Sequence, residues 1–165
     1  MKTYEQIFRY AMQMELDGYN FYMEKKSILN NPTSQRMFEA LAESEMEHYK
    51  YIESLLNSYI ETDTFEQGLD ALPGDEKIFE SREDSEHLNE TLSESDIPDL
   101  TILRMAYLIE RDYKEFYQNA AENIEDVEVK AIFEKLSKWE AGHEILFKSE
   151  YDKRMREYMS LPWGG

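Results

Sequence analysis

Two histidines in this chain are each preceded, three residues earlier, by a glutamate. The pairs are Glu45 with His48 and Glu140 with His143. Residues three apart lie on one face of an α-helix, so each pair would direct a carboxylate and an imidazole toward the same neighbour. This donor set suits iron, manganese or zinc, whereas nitrogen ligands disfavour calcium and magnesium. The spacing therefore indicates a transition-metal site.

A third glutamate precedes each pair by the same distance. These residues are Glu15 and Glu110, and each is followed 30 residues later by the glutamate of the pair. Aligning the chain with itself at an offset of 95 residues, without gaps, matches 13 of 48 positions between 7–54 and 102–149. Apolar packing positions are among the matches. The sequence therefore predicts two copies of one helical hairpin.

The six residues repeated in this way are the candidate ligands. They are Glu15, Glu45, His48, Glu110, Glu140 and His143. Apolar residues at three- and four-residue spacing flank them, which predicts that all six point into the interior. Two carboxylates 4 Å apart repel by roughly 4 kcal/mol at an effective dielectric constant of 20. Two divalent cations would balance four carboxylates with both imidazoles neutral. The alternative from another class is a metal-free structural bundle.

Prolines and apolar periodicity predict one all-α domain over residues 1–165, a four-helix bundle. We expect a helical hairpin over 3–60, a crossover over 61–98 and a second hairpin over 99–158. The first helix should end near residue 28, before a turn at Asn30, Asn31 and Pro32. After Pro98, Asp99 or Thr101 is the expected N-cap of the third helix.

The predicted crossover is strongly acidic, with 14 acidic and two basic residues over 61–99. We interpret it as a solvated surface, with short apolar groups that include Phe65 forming one or two brief helical turns on the bundle. The alternative is a role in guiding cations. His87 within it should face solvent.

Composition excludes several classes of function. The 165 residues carry a formal net charge of −18, which argues against binding to a nucleic-acid backbone or an anionic membrane. The absence of cysteine excludes thiol catalysis and Cys-ligated iron or zinc. With no apolar stretch approaching 18 residues and no signal-peptide hydrophobic region at the start, we expect a cytoplasmic protein.

Two stretches of the sequence resemble the rubrerythrin family, over residues 3–58 and 99–155. The motifs that carry the resemblance lie in the first stretch: Ala11 to Glu15 with Phe21 and Tyr22, and then Phe38 to His48. The resemblance implies a ferritin-like bundle with two iron ions, with manganese or zinc as other candidates. Glu45 and Glu140 would bridge the metals, and the other four residues would be terminal ligands.

The resemblance also implies an activity, reduction of hydrogen peroxide by the di-iron site, with hydrogen peroxide or dioxygen as the small-molecule partner. All six ligands would then be catalytic. Typical rubrerythrins add a Cys-ligated iron domain, so here an external donor such as a rubredoxin would supply electrons. The alternative is a ferroxidase or iron-handling protein. A homodimer, including one that exchanges hairpins across the long crossover, is compatible with this arrangement.

The tyrosines near the ligands are the remaining candidates. Many rubrerythrins have an additional glutamate one turn after the third ligand, where this chain has Tyr113. This departure from the family's pattern leaves a six-ligand site. We expect Tyr22, Tyr113 and Tyr117 to donate hydrogen bonds to ligand carboxylates.

Overall fold

Four helices form the part of the protein that the computed structural model describes, residues 4–65 and 97–162. They are α1 (Glu5–Lys26), α2 (Pro32–Thr62), α3 (Ile97–Asn123) and α4 (Val127–Met159). No strand occurs within those two ranges. Helix α1 packs along α2, α3 packs along α4, and α1 also approaches α3. The predicted all-α architecture of two hairpins is confirmed.

Equivalent capping residues begin the second helix of each hairpin. The Asn31 side chain accepts hydrogen bonds from the backbone N–H groups of Thr33 and Ser34, and Pro32 occupies the first helical turn. Asp126, 95 residues later, accepts from Glu128 and Val129 in the same way. These caps satisfy backbone donors that a helix start otherwise leaves unpaired.

Helix α1 ends at Lys26, close to the predicted end near residue 28. The predicted start of α3 is wrong. Helix α3 begins at Ile97, so neither Asp99 nor Thr101 is its N-cap. The Asp99 carboxylate instead accepts hydrogen bonds from the backbone N–H groups of Asn30 and Asn31, at 2.9 and 2.8 Å. This buried contact ties the start of α3 to the turn between α1 and α2.

Two apolar clusters fix the directions of the helices. The first cluster joins the early parts of α1 and α4 to the late parts of α2 and α3, through residues such as Phe8, Phe133, Leu55 and Tyr117. The second cluster joins the opposite halves, through residues such as Tyr22, Phe147, Phe38 and Leu103. Helices α1 and α4 therefore run one way and α2 and α3 the other. It follows that α2 ends at the opposite end of the bundle from where α3 begins.

Only the ends of the predicted crossover lie within the described residues. Phe65 packs on the bundle, with its ring stacked on Tyr59 at a centroid distance of 4.8 Å. His87 and the remaining apolar groups of the crossover lie outside the described residues. Among the helices of the two described ranges, none has both the length and the apolar composition needed to cross a membrane.

Candidate metal centre

The six predicted ligands lie in the middle of the bundle, between the two apolar clusters. Helices α1 and α3 supply Glu15 and Glu110, while α2 and α4 each supply a glutamate and a histidine on one face. Five of the six side chains are fully buried, and His143 is 1% exposed. The structure therefore brings together every residue that the repeat singled out.

Three carboxylates surround the Nδ1 atom of His48. It lies 3.3 Å from Glu15 Oε2, 3.4 Å from Glu45 Oε2 and 3.2 Å from Glu140 Oε1. These oxygens come from α1, α2 and α4. Atoms on three helices thus converge on a single imidazole nitrogen.

His143 has a corresponding arrangement in the second half. Its Nδ1 atom lies 3.3 Å from Glu110 Oε2 and 3.2 Å from Glu140 Oε2. The two imidazole rings are parallel within 2°, with centroids 5.7 Å apart. The halves of the site are therefore related by the same pseudo-symmetry as the halves of the sequence.

Two overlapping groups of four residues could each hold a metal ion. One contains Glu15, Glu45, His48 and Glu140, and the other contains Glu45, Glu110, Glu140 and His143. Within each group the candidate ligand atoms all lie within 4.8 Å of one another. Glu45 and Glu140 belong to both groups, and they are the residues expected to bridge. That they bridge metal ions stays a prediction.

Without cations, the carboxylates of the site oppose one another. Burial, together with the neighbouring carboxylates, raises the pKa of Glu45 well above its ordinary value and that of Glu140 to about 8. Burial would also raise the pKa of Glu110, but the charge of His143 and hydrogen bonds with His143, Glu140 and Tyr22 together outweigh burial and lower that pKa to about 2. In the absence of metal ions, Glu45 and Glu140 therefore bind protons more tightly than Glu110 does.

The imidazole of His48 responds in the opposite sense. Burial would lower its pKa, but the carboxylates of Glu15 and Glu140 outweigh burial and raise that pKa well above its ordinary value. A metal ion and a proton would therefore compete for its Nδ1 atom, since both bind the same lone pair.

Buried polar atoms of the site lack hydrogen-bond partners within the described part of the chain. They are Glu15 Oε2, Glu110 Oε2, His48 Nδ1 and both carboxylate oxygens of Glu45 and of Glu140. A buried polar atom without a partner costs roughly 1 to 3 kcal/mol, and more when it is charged. All of these atoms are potential metal ligands that face a common centre. The donor set and its geometry therefore fit two transition-metal ions.

Two buried tyrosines hold the outer glutamates from across the bundle. The Tyr22 hydroxyl on α1 donates to Glu110 on α3, and the Tyr117 hydroxyl on α3 donates to Glu15 on α1. Burial and the adjacent carboxylate raise the pKa of each phenol, so both remain protonated donors. The expectation is confirmed for these two residues. It is wrong for Tyr113, whose hydroxyl donates to the Met14 carbonyl oxygen at 2.8 Å.

Sequence reasoning missed two residues that contact His48 directly. The Trp139 ring lies against the imidazole at a centroid distance of 4.5 Å, and Ser44 Oγ lies 3.4 Å from His48 Nε2. These residues occupy equivalent positions in the two halves, 95 residues apart. The signal that could have found them is this pairing, because each precedes a ligand glutamate by one residue. Their dissimilar types concealed it.

Comparison with protein families identifies a match to the family described as Rubrerythrin, over residues 6–151. The matched range contains all four helices in large part and all six candidate ligands. Comparisons with curated proteins and with solved structures return no significant match.

Proposed function

The chain belongs to the rubrerythrin family, and we propose that it is a non-haem di-iron protein that reduces hydrogen peroxide with electrons from an external donor. One observation carries the proposal: two buried four-residue groups share Glu45 and Glu140, so the site offers adjacent positions for two metal ions. A single-metal site would not need both groups.

Four of the six residues would bind one metal ion each, and the other two would bind both ions. Glu15 and His48 would hold the first ion, Glu110 and His143 the second, and Glu45 with Glu140 would contact both. Bound in reduced form, the metal pair would supply two electrons for cleavage of the peroxide O–O bond and stabilise the negative charge that develops on oxygen. Four carboxylate charges against two divalent cations leave the loaded site neutral.

The surrounding protein keeps the ligands in place during the reaction. Tyr22 and Tyr117 restrain the carboxylates of Glu110 and Glu15 through hydrogen bonds between helices. Partners of this kind fix ligand orientation and typically change metal affinity by 10- to 100-fold. The apolar clusters at both ends of the site limit the access of water along the bundle.

The reaction needs a source of electrons outside this sequence. Reduction of one hydrogen peroxide to two waters consumes two electrons and two protons. The chain has no cysteine, so it carries no thiolate-ligated iron that could pass electrons inward. An external one-electron donor, such as a rubredoxin, would therefore act twice in each cycle.

Peroxide turnover tests the activity. Protein loaded with ferrous iron under anaerobic conditions is given hydrogen peroxide, a rubredoxin and its reductase. We expect consumption of many equivalents of peroxide per chain, and loss of that turnover in Glu45→Gln. Glu43→Gln is the matched control, because Glu43 lies two residues away on α2 and is exposed. A single stoichiometric oxidation with every donor tried would contradict the peroxidase proposal.

The net charge favours a second candidate, a ferroxidase or iron-handling protein. Iron itself would be the substrate, and a formal net charge of −18, with 14 acidic residues over 61–99, would concentrate cations near the protein. This candidate predicts that dioxygen or hydrogen peroxide oxidises added ferrous iron in excess of the two bound ions, with the electrons passing from iron to the oxidant. Ferric iron would then be released, without dependence on an electron donor.

A further inference from the structure

Gly18 and Tyr113 are equivalent positions in the two halves of the sequence, 95 residues apart. Each follows a terminal glutamate, Glu15 or Glu110, by three residues on the same helix. The glycine of the first half and the tyrosine of the second half lie next to each other, between α1 and α3. A Cβ atom added to Gly18 would lie only 3.2 Å from Cε2 of Tyr113.

The Tyr113 ring therefore occupies the space that the missing side chain of Gly18 leaves open. The same added Cβ would lie 3.4 Å from Cγ of Glu45, so the Tyr113 ring and the Glu45 side chain both lie beside Gly18. Glu45 is fully buried, whereas Tyr113 is partly exposed. The ring thus extends from the protein surface to the edge of the metal centre.

One hydrogen bond and packing against the first apolar cluster hold this ring in place. The Tyr113 hydroxyl donates to the Met14 carbonyl oxygen on α1, at 2.8 Å, and so bridges the gap between α3 and α1. A bond between neutral groups at a partly exposed position contributes only about 1 kcal/mol. The hydrogen bond is therefore the smaller part of what holds the ring, and packing supplies the rest.

A different contact lies on the opposite side of the centre. Both imidazoles come from α2 and α4, and Trp139 on α4 lies against His48 there. Helices α1 and α3 contribute carboxylates but no imidazole to the two groups. A substrate approaching the metal positions from the α1–α3 side therefore meets Tyr113 first.

We propose that Tyr113, packed over Gly18, is a specificity-determining residue that admits hydrogen peroxide to the metal centre and excludes bulky organic hydroperoxides. The proposal rests on the proposed function and names its substrate class. A small peroxide passes with a slight displacement of the ring, whereas a tertiary alkyl group requires the whole ring to leave. In either case two electrons from the external donor and two protons convert ROOH to ROH and water.

Access to the centre can be measured without any turnover. Wild-type protein and Tyr113→Ala are loaded with cobalt(II), and the rate of metal removal by an excess of a bulky aromatic chelator is followed optically. We expect removal to be at least about tenfold faster in Tyr113→Ala, since a missing ring opens the α1–α3 side. Tyr107→Ala is the matched control: this partly buried α3 tyrosine packs against Tyr151 instead and should leave the rate unchanged.

Substrate preference is the second readout. The kcat/KM ratio of tert-butyl hydroperoxide to hydrogen peroxide should rise by about tenfold or more in Tyr113→Ala and stay near the wild-type value in Tyr107→Ala. Tyr113→Leu provides the same comparison with less loss of packing, should the alanine variant fail to fold.

The outcomes separate the two proposals. Unchanged removal rates in folded, metal-loaded Tyr113→Ala and Tyr113→Leu would overturn the role of Tyr113, whatever the peroxidase assay shows. Faster removal without any peroxide turnover would support Tyr113 as the barrier to the centre, and would overturn peroxide as the substrate. Failure of wild-type protein to bind metal would overturn both.

Discussion

Repulsion among the carboxylates of the centre has a measurable effect at Glu140. Its carboxylate contributes one oxygen near each histidine, at 3.2 Å in both cases. Burial, Glu110 and Glu15 raise its pKa to about 8, far above its ordinary value of 4.5. A carboxyl group with a raised pKa binds protons more tightly in the folded state, so it destabilises the metal-free fold increasingly as pH rises from 4.5 to about 8.

Replacing this carboxyl group should therefore have opposite effects with and without metal. We predict that Glu140→Gln stabilises the metal-free protein at pH 8 by about 1 to 4 kcal/mol, and by less at pH 5, because the amide never ionises. The same change should weaken metal binding. Urea unfolding at both pH values, with and without metal, measures this. A metal-free variant less stable than wild type at pH 8 would show that carboxylate repulsion does not dominate here.

The two buried tyrosines should act through the glutamates that they contact. Tyr22→Phe and Tyr117→Phe each remove one hydroxyl and leave the ring packing intact. We predict that each lowers metal affinity by about 10- to 100-fold, measured by competition with a chelator of known affinity. Tyr107→Phe, which removes a hydroxyl from outside the centre, should bind metal as wild type does. Equal affinities in all three variants would rule out the orienting role.

The candidate ligands could be found from the sequence because each half repeats them at identical spacing. The Glu-x-x-His spacing places two ligands on one helix face, and the apolar periodicity predicts that the ligands are buried. Few other arrangements of these six residues satisfy both. The partner of Tyr113 could not be found in this way, because its hydroxyl reaches a backbone carbonyl on another helix. Every residue has a backbone carbonyl group, so the residue types do not indicate which carbonyl accepts a hydrogen bond. Only the relative placement of α1 and α3 shows this.

At the scale of elements, one charged contact joins α3 to α4 beside the centre. The Glu144 carboxylate accepts hydrogen bonds from Arg111 Nε at 2.8 Å and from Lys114 Nζ at 2.6 Å. Burial would raise the pKa of Glu144, but these two cations outweigh it and hold that pKa below its ordinary value of 4.5. The contact thus stabilises the fold when Glu144 is ionised.

Neutralising Glu144 should loosen this helix pair in a pH-dependent way. We predict that Glu144→Gln costs about 1 kcal/mol of stability at neutral pH, a modest figure because Arg111 and Lys114 are partly exposed and screened by solvent. A lowered pKa gives stability that is present above pH 4.5 and is lost as pH falls through the folded-state pKa. Denaturant unfolding at pH 7 and pH 3 should show the difference shrinking at the lower pH. A constant difference would contradict the assignment.

Helix starts were predictable where a side chain caps its own helix, as Asn31 does for α2. The start of α3 was not, because two signals competed there. Proline is tolerated in the first turn of a helix, so Pro98 lies inside α3 instead of preceding it. Asp99 was a reasonable N-cap by type, but its carboxylate binds the turn between α1 and α2. Tertiary contact thus outweighed local preference.

At the scale of the whole molecule, metal should stabilise the bundle by linking its two hairpins. The groups of ligands draw on α1, α2 and α4 in one case and on α2, α3 and α4 in the other. Binding to the folded state alone contributes about 2.7 kcal/mol when free metal is 100 times its dissociation constant. We predict a higher melting temperature with ferrous iron or cobalt(II), measured by circular dichroism and reversed by a chelator. An unchanged melting temperature would indicate that the ligands do not hold metal between the hairpins.

The most direct test of the central claim is the number of iron ions that each chain binds. Metal-free protein is titrated anaerobically with ferrous iron, and bound iron is counted after removal of the excess. We expect two bound ions per wild-type chain, because the site has two overlapping groups of ligands. Glu45→Gln should bind clearly fewer ions, whereas Glu43→Gln should bind as many as wild type. A wild-type chain that binds no iron, or a count that Glu45→Gln leaves unchanged, would contradict the assignment of these six residues as a di-iron centre.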